Sequence, residues 1–369
     1  MTARRPSSPA GSREFELRQK RLLESLAAQN LDALIVSAAA NIRYLLGFTG
    51  SAGIAVIGAD AAVLFTDPRY AAQAAEQAAC RVRVVRRLIE NGLIPAIARG
   101  GWKRIGFEPA RLSFAVFEQL RGSLPRGIRL MPAPGLVEEL REVKSPSEID
   151  RIRRAAATAL EAYARVSSEI RPGLRESDVA AELDYQMRRL GADGPAFDTI
   201  VASGQRSAWP HADASSKPIA AGEPILIDLG ARQEGYTSDL TRMVVLGRPG
   251  RRLAALHRAV LEAQMAALET VREGVAASVV DRAARRVLAR HGLERHFVHS
   301  TGHGLGLEIH ELPRLGTRES KRLRAGMVIT IEPGVYLPGL GGVRIEDTVV
   351  VTAGGAEVLT NSSKQLLVL

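Results

Sequence analysis

Two aspartates lie at predicted strand ends in the segment "ILIDLGARQEGYTSDLTRMV", residues 225–244. Asp228 ends an apolar run, and after a turn at residues 232–235 the return strand is predicted to bring Asp239 opposite it. A buried charge is costly unless it is paired or bound to a metal. Because two facing carboxylates repel each other, the pattern indicates a cation between them. For this pair alone, contacts with solvent or arginine explain the sequence equally well.

Two further apolar segments carry a glutamate each. In "MVITIEPGVYL", Glu332 closes a strand that Pro333 and Gly334 then stop, and "VRIEDTVVV" places Glu346 in the middle of a strand. Alternation along that strand puts Arg344 and Glu346 on one face. A single glutamate of this kind could form a structural ion pair. Three separate apolar strands that each carry a carboxylate indicate a shared site.

A nitrogen ligand is supplied by "HSTGHGLGLEIHE", residues 299–311, which contains three histidines and three glycines. His303 lies between Gly302 and Gly304, where the lack of side chains lets the backbone approach closely. The glycine spacing differs from the G-x-G-x-x-G of dinucleotide-binding loops and no Walker lysine is present, which disfavours phosphate binding. A lone histidine in such a loop is more often structural. Beside four carboxylates, it is predicted to be a fifth ligand.

The combined set offers metal ions four carboxylates and one imidazole. These residues are Asp228, Asp239, His303, Glu332 and Glu346. Hard oxygen ligands with one imidazole suit Mn²⁺, with Co²⁺ or Zn²⁺ as alternatives, and the sulfur ligands typical of structural zinc are absent. Four carboxylates exceed the needs of one dication, so we expect two ions ~3.5–4 Å apart.

The elements that must position these residues fall into two blocks. Residues 14–140 alternate helix-like and strand-like segments, which predicts an α/β domain with a mixed or parallel sheet. A capping box from Ser145 to Glu148 begins a long helix near the join. Residues 141–369 follow the order helix pair, strands, helix pair, strands, which predicts an α+β domain with an internal pseudo-twofold. Residues 1–13 predict a disordered tail, because no apolar run typical of a signal peptide is present.

Composition excludes several classes of partner. The chain has 369 residues and a net charge of +10, but its arginines are scattered at helical spacing and do not alternate with aromatic residues, so no nucleic acid is expected. No run of ~18 apolar residues exists, so no membrane is expected. The single cysteine, Cys80, forms no intramolecular disulfide. This fits a reducing compartment, and we expect a cytoplasmic protein.

Several motifs carry a family resemblance. "DLGARQEGYTSDLTR", "STGHGLGLEIHE", "TIEPGVY" and "GVRIEDTVVVT" resemble the proline-specific peptidases of the pita-bread superfamily, which includes aminopeptidase P and prolidase. "NIRYLLGFTGSAG" and "LFTDPRY" resemble the creatinase-like N-terminal domain of these enzymes. The resemblance covers nearly the whole chain, with the five ligands in the family's order. It implies a creatinase-like domain at residues 14–140, a pita-bread metallopeptidase domain at residues 141–369, and a homodimer.

The resemblance also implies roles around the metals. Glu332 matches the carboxylate that takes and passes a water proton, and His211 and His310 match histidines that hydrogen-bond the substrate or carry a proton. Arg344 matches an arginine just outside the metal ligands on the substrate side. Arg314 matches an arginine that in short prolidases contacts the C-terminal carboxylate of the substrate. An exposed loop arginine would explain Arg314 equally well.

The implied function is cleavage of the bond between an N-terminal residue and a following proline. We expect an Xaa-Pro aminopeptidase that acts on peptides with proline at the second position. The alternative is an Xaa-Pro dipeptidase, or prolidase, restricted to dipeptides; Arg314 favours it, whereas "GFTGS" favours aminopeptidase P. A non-catalytic pita-bread binding module is a further alternative, although such modules typically have broken ligand sets and this set is complete.

Overall fold

A computed structural model of the protein describes residues 10–369. The chain divides into two compact units, and the division falls between Arg141 and Glu142. The first unit precedes every predicted metal ligand in the sequence, so the second unit contains the candidate site.

The first helix corrects one prediction. Helix α1 spans Ala10–Ala28, so residues 10–13 are helical and not part of a tail. Helix elongation adds one backbone hydrogen bond for each residue fixed, so an amphipathic helix that has nucleated extends readily into the residues before it. Residues 1–9 of the predicted tail lie outside the described residues.

A six-stranded mixed sheet forms the centre of the first unit, with strand order β4-β3-β2-β1-β5-β6. Strands β1 to β6 are Ala33–Val36, Gly53–Gly58, Ala61–Thr66, Arg81–Val84, Arg104–Phe107 and Arg129–Pro132. The β1–β2 and β2–β3 pairs are antiparallel, and the remaining pairs are parallel. The sheet confirms the α/β prediction for this unit.

Helices cover this sheet. After α1, the helices of this part of the chain are α2 (Ala39–Leu46), α3 (Ala71–Gln77), α4 (Ile94–Arg99), α5 (Phe114–Ser123) and α6 (Leu136–Glu142). A 3-10 turn spans Pro68–Tyr70 and a π-helical turn spans Leu88–Leu93. Side chains of the strands, such as Ile35 and Phe65, pack with Leu93 and Leu120 in one buried apolar cluster.

Two helix pairs organise the second unit. They are α7 (Pro146–Ser167) with α8 (Glu176–Arg189), and α9 (Arg251–Thr270) with α10 (Ala277–Arg290). The predicted capping box at the start of α7 is confirmed. The Ser145 hydroxyl accepts from the Glu148 backbone N–H at 3.3 Å, and the Glu148 carboxylate accepts from the Ser145 N–H at 2.9 Å.

The strands of the second unit follow each helix pair. Between the pairs lie β7 (Gly194–Pro195), β8 (Ile200–Ser203), β9 (Pro224–Leu229), β10 (Ala231–Gln233), β11 (Tyr236–Thr237) and β12 (Leu240–Val245). After the second pair come β13 (Gly302–Gly304), β14 (Glu311–Leu315), β15 (Val328–Ile331), β16 (Gly334–Leu337), β17 (Gly341–Arg344), β18 (Asp347–Val351), β19 (Ala356–Val358) and β20 (Leu367–Val368).

Each helix pair packs on its own sheet. The sheet β20-β12-β9-β8 shares an apolar cluster with α7 and α8, through residues such as Leu183 and Ile227. The sheet β14-β13-β15-β18-β19 shares a second cluster with α9 and α10, through residues such as Val260 and Ile329. This repeated succession confirms the predicted α+β architecture. Within residues 10–369, no helix combines the length and the apolar character that a membrane span requires.

Candidate metal and active site

The five predicted ligands lie at the ends of strands from both helix-backed sheets. Asp228 is on β9, and Asp239 directly precedes β12. His303 is on β13, and Glu332 directly follows β15. Glu346 lies between β17 and β18. Residues separated by more than a hundred positions are thus presented by neighbouring strand ends.

The structure brings these side chains together. One potential ligand atom from each of Asp239, His303 and Glu346 lies within 4.8 Å of the other two. The His303 Nε2 atom is 3.6 Å from Asp239 Oδ2 and 3.4 Å from Glu332 Oε1. Asp228 Oδ2 accepts a hydrogen bond from Arg344, which also donates to the Thr241 hydroxyl, and Thr241 donates to Glu346 Oε2. The structure therefore brings the five side chains into one cluster, and their role as metal ligands stays a prediction.

Three carboxyl groups of this cluster, those of Asp239, Glu332 and Glu346, have a raised pKa. Burial, and then the charges of Glu346, Asp228 and Glu332, raise the pKa of Asp239 well above its ordinary value. Burial also raises the pKa of Glu332 to about 8, against the opposing effect of Arg344. Burial and then Glu332 and Asp228 raise the pKa of Glu346. Crowded buried carboxylates of this kind favour a bound cation, which would compensate their charge.

Two unsatisfied oxygens show that the donor set fits a metal. Within residues 10–369, Asp228 Oδ1 and Glu346 Oε1 are buried and have no hydrogen-bond partner. Burying an acceptor without a partner costs roughly 1–3 kcal/mol, so such atoms need a ligand. Oxygen atoms with one imidazole suit hard or borderline divalent ions. The residues present therefore fit the divalent cation that the sequence predicts.

His303 is prepared to act as a neutral ligand. Burial, and then neighbouring His310, lower the pKa of His303 to about 4. Its Nδ1 atom lies 3.0 Å from the Gly304 carbonyl oxygen, which accepts a hydrogen bond from that nitrogen. The proton is thus assigned to Nδ1, and the Nε2 lone pair faces the carboxylates.

Two local details differ from the sequence predictions. Asp228 is paired in register with Thr241 and not with Asp239, because Asp239 lies just before β12 begins. Glu346 lies at a break between strands and not in the middle of one. At this break the buried guanidinium of Arg242 donates a hydrogen bond to the Glu346 carbonyl oxygen. That contact satisfies a backbone group that would otherwise join a strand ladder.

Arg344 links the cluster to its surroundings. It is buried, and its guanidinium donates to Asp228 Oδ2, to the Thr241 hydroxyl and to the Tyr336 hydroxyl. It also donates to the Pro210 carbonyl oxygen at 3.2 Å, next to His211. Thr241 in turn donates to Glu346 Oε2 at 2.6 Å. Arg344 therefore orients two of the carboxylates and contacts the segment that carries His211.

His310 and His211 lie at the accessible side of the cluster. The rings of His303 and His310 are 4.4 Å apart between centroids. Burial, and then nearby His211, lower the pKa of His310. Arg314 is exposed on β14, and it is the register partner of His303 on β13. Directly paired residues project on the same face of a sheet, so Arg314 lies on the face that carries His303, next to a register shift between His303 and Gly304.

Sequence reasoning missed His299, the first histidine of the segment that contains His303 and His310. Burial lowers the pKa of His299 to about 4, and its Nδ1 donates to the Ser300 carbonyl oxygen at 2.8 Å. Its Nε2 lies 2.9 Å from the Tyr336 hydroxyl, which Arg344 also contacts. The three closely spaced histidines were a usable signal, but the partner of His299 was not identifiable from the sequence.

Carboxylates and an imidazole gathered at strand ends of an α+β domain form a group that can hold a metal ion. Residues 150–353 match the model of metallopeptidase family M24, and residues 18–143 match the creatinase/prolidase N-terminal domain. The chain belongs to metallopeptidase family M24, and it is a metal-dependent peptidase with a pita-bread catalytic domain. These matches confirm the predicted family and fold class.

Individual relatives are similar along nearly their whole length. The Xaa-Pro dipeptidase of Pyrococcus horikoshii is 37% identical over 350 residues, which cover 94% of this chain and 98% of the relative. The solved Xaa-Pro dipeptidase of Bacillus anthracis is 38% identical with a TM-score of 0.93, covering 96% of this chain and 100% of that one. An X-Pro aminopeptidase of Thermotoga maritima is 37% identical with a TM-score of 0.89, covering 95% and 99% respectively.

Proposed function

We propose that this protein is an Xaa-Pro dipeptidase that works with two divalent cations. Dipeptidases among both the curated relatives and the solved structures favour this function over the aminopeptidase expected from the sequence. The observation that carries the proposal is the buried cluster with its two unpartnered carboxylate oxygens. The proposed ligands of the cations are Asp228, Asp239, His303, Glu332 and Glu346, and Mn²⁺ is the proposed metal.

Cations bound here would activate water and polarise the scissile carbonyl as Lewis acids. The protein's own groups position the substrate and move protons. Glu332 is the proposed acceptor and donor of the water proton, because its carboxylate lies within the cluster, 3.4 Å from His303 Nε2. His211 and His310 are the proposed donors to the carbonyl oxygen or to the leaving proline nitrogen, and Arg344 holds Asp228 in orientation.

A dipeptide specificity needs a group that recognises the free C-terminal carboxylate. Arg314 is the proposed group, because it is exposed on the sheet face that also carries His303. A hydrogen bond to a charged group contributes roughly 1.5–3 kcal/mol. In a longer peptide, the proline carbonyl belongs to an amide and not to a charged carboxylate. Such a peptide would therefore lose the charged hydrogen bond to Arg314. Proline itself has no amide N–H, so recognition of the scissile bond cannot use that donor.

The test is a peptide panel with protein stripped of metal and reloaded with Mn²⁺. We expect cleavage of an Xaa-Pro dipeptide, and cleavage of Xaa-Pro-Yaa-Zaa at least about 10-fold more slowly, since roughly 1.4 kcal/mol corresponds to tenfold. Arg314→Ala should reduce kcat/KM for the dipeptide about 10- to 100-fold. Arg318→Ala, an exposed arginine four residues away, is the matched control and should have no effect.

The competing candidate is the Xaa-Pro aminopeptidase, which the similarity to the Thermotoga maritima enzyme supports. Equal or faster cleavage of the tetrapeptide, with Arg314→Ala unchanged, would contradict the dipeptidase proposal and favour the aminopeptidase. Binding of Mn²⁺ without hydrolysis of any peptide would favour the non-catalytic module. The homodimer and the cytoplasmic location stay predictions.

A further inference from the structure

The segment that carries His211 is held by a buried carboxylate outside the metal cluster. After β8 the chain forms a 3-10 turn, Gly204–Ala208, and then continues without regular structure through Trp209 and His211. We propose that Glu176, the first residue of α8, is the positioning residue for this segment. The inference rests on the role proposed above for His211, and it adds a residue that the metal site does not include.

Glu176 contacts both ends of the segment. Its Oε1 atom accepts hydrogen bonds from the backbone N–H of Ser203 at 2.7 Å and from the Ser203 hydroxyl at 2.9 Å. Its Oε2 atom accepts from the Ser215 hydroxyl at 2.6 Å and from the Ser215 N–H at 3.2 Å. Ser203 ends β8, and Ser215 lies four residues after His211. One carboxylate thus closes residues 203–215 into a loop.

A fifth hydrogen bond reaches inside the loop. Arg206 Nε donates to Glu176 Oε2 at 2.9 Å, and Arg206 also donates to the Asp213 carbonyl oxygen at 2.5 Å. The Arg206 guanidinium lies 4.9 Å from the centre of the Trp209 ring, a cation–π distance. Trp209 is 57% exposed, and Arg206 is its cation–π partner. The carboxylate therefore controls the middle of the loop as well as its ends.

The chemistry of these contacts requires a carboxylate. Glu176 is fully buried, and all five of its hydrogen bonds are donated to it. A glutamine has one carbonyl oxygen that can accept, and its amide nitrogen can only donate. In either orientation of the amide, the nitrogen therefore faces donor groups of the loop and cannot accept their hydrogen bonds. The substitution Glu176→Gln keeps the size of the side chain while it removes at least two accepted bonds.

The loop also has contacts that do not involve Glu176, and Ala212, next to His211, is buried. The Ser207 hydroxyl accepts from the Gly342 N–H at 2.8 Å and fixes the early part of the loop. Arg344 holds the Pro210 carbonyl oxygen through one hydrogen bond of 3.2 Å. The His211 side chain is exposed. Glu176 thus acts on His211 through the loop, while the metal ligands are held by other contacts.

Trp209 provides a reporter that does not depend on peptide cleavage. The chain has two tryptophans, Trp102 and Trp209, and Trp102 lies in the first unit. In a Trp102→Phe background, the fluorescence anisotropy of Trp209 measures how firmly the loop is held. We expect Glu176→Gln to lower this anisotropy in the metal-free protein. We also expect kcat for the Xaa-Pro dipeptide to fall by about 100-fold with KM nearly unchanged, since small misplacements of active-site groups cost about this much.

A second variant and a control allow the inference to be tested even if Glu176→Gln folds poorly. Arg206→Lys removes the Nε donor and the planar stacking partner of Trp209, and should lower the anisotropy and kcat in the same direction. Arg171→Lys, at an exposed position, is the matched control and should change neither. Mn²⁺ binding by calorimetry should stay within about twofold of the parent in all three variants.

The outcomes separate this inference from the proposed function. Parental anisotropy in folded Glu176→Gln or Arg206→Lys protein would overturn the inference, and so would lowered anisotropy with parental kcat. Loss of Mn²⁺ binding in these variants would also overturn it, because Glu176 would then support the metal cluster. If the parent protein cleaves no peptide, the proposed function fails, and with it the catalytic role assigned to the loop, whatever the anisotropy shows.

Discussion

At the scale of single residues, the main feature of the candidate site is that several carboxyl groups are buried close together. Asp239 and Glu346 are almost fully buried, and each has a pKa raised by burial and by the other carboxylates. Their proximity raises the free energy of the metal-free chain, and the same proximity provides affinity for divalent ions. The cluster therefore lowers the stability of the metal-free state, and the same charges favour metal binding.

Replacing Asp239 by asparagine tests this trade. We expect Asp239→Asn to raise the thermal midpoint of the metal-free protein, because the cost of burying this carboxyl group among other carboxylates is removed. The stabilisation by Mn²⁺ should fall sharply. Each kcal/mol should move the midpoint by about 2–4 °C in a domain of this size. Differential scanning calorimetry with and without Mn²⁺ measures both effects. Asp198→Asn, at an exposed position, serves as control, and a variant that keeps the parental Mn²⁺ response would refute the role of Asp239.

At the scale of secondary-structure elements, local signals were predictable and long-range ones were not. The capping box at Ser145 depends on residues three positions apart, so the sequence predicts it directly. The strand break at Glu346 depends on Arg242, which lies 104 positions earlier, so the local pattern "VRIEDTVVV" looked like one strand. His299 was missed for the same reason, since its partner Tyr336 is 37 positions away.

Long-range contacts of residues at helix starts are likewise not predictable from the sequence. Glu176 is an acidic residue in the first turn of α8, a position that acidic residues favour for helix stability alone. Its hydrogen bonds to Ser203 and Ser215 become visible only in the folded chain. That the four carboxylates meet was predictable because carboxylates at the ends of apolar strands are unusual, and His303 joined them because it lies in a glycine-rich segment. Their register, as for Asp228 opposite Thr241, was not.

The capping box of α7 offers a test at this scale. Ser145→Ala removes the hydroxyl that accepts from the Glu148 N–H, and loss of such a cap costs about 1 kcal/mol. We expect the thermal midpoint to fall by about 2–4 °C while Mn²⁺ binding is retained. Ser216→Ala, at an exposed position, is the comparison and should leave the midpoint unchanged. An unchanged midpoint for Ser145→Ala would show that the cap contributes nothing to the folded state.

At the scale of the whole molecule, the second unit explains why distant residues meet. Two helix pairs each cover one sheet, and both sheets present strand ends to the same cluster. Asp228 and Asp239 come from the sheet backed by α7 and α8. His303 and Glu332 come from the sheet backed by α9 and α10. A bound cation would therefore join the two halves of the fold, and its loss should weaken the packing of both.

The most direct test is anomalous diffraction from crystals grown with Mn²⁺. The account predicts two anomalous peaks in each chain, both enclosed by the five proposed ligands. They should disappear in Asp239→Asn crystals or be reduced to one. Peaks located elsewhere, or no peak among the five side chains at saturating Mn²⁺, would contradict the metal site and the hydrolytic function built on it.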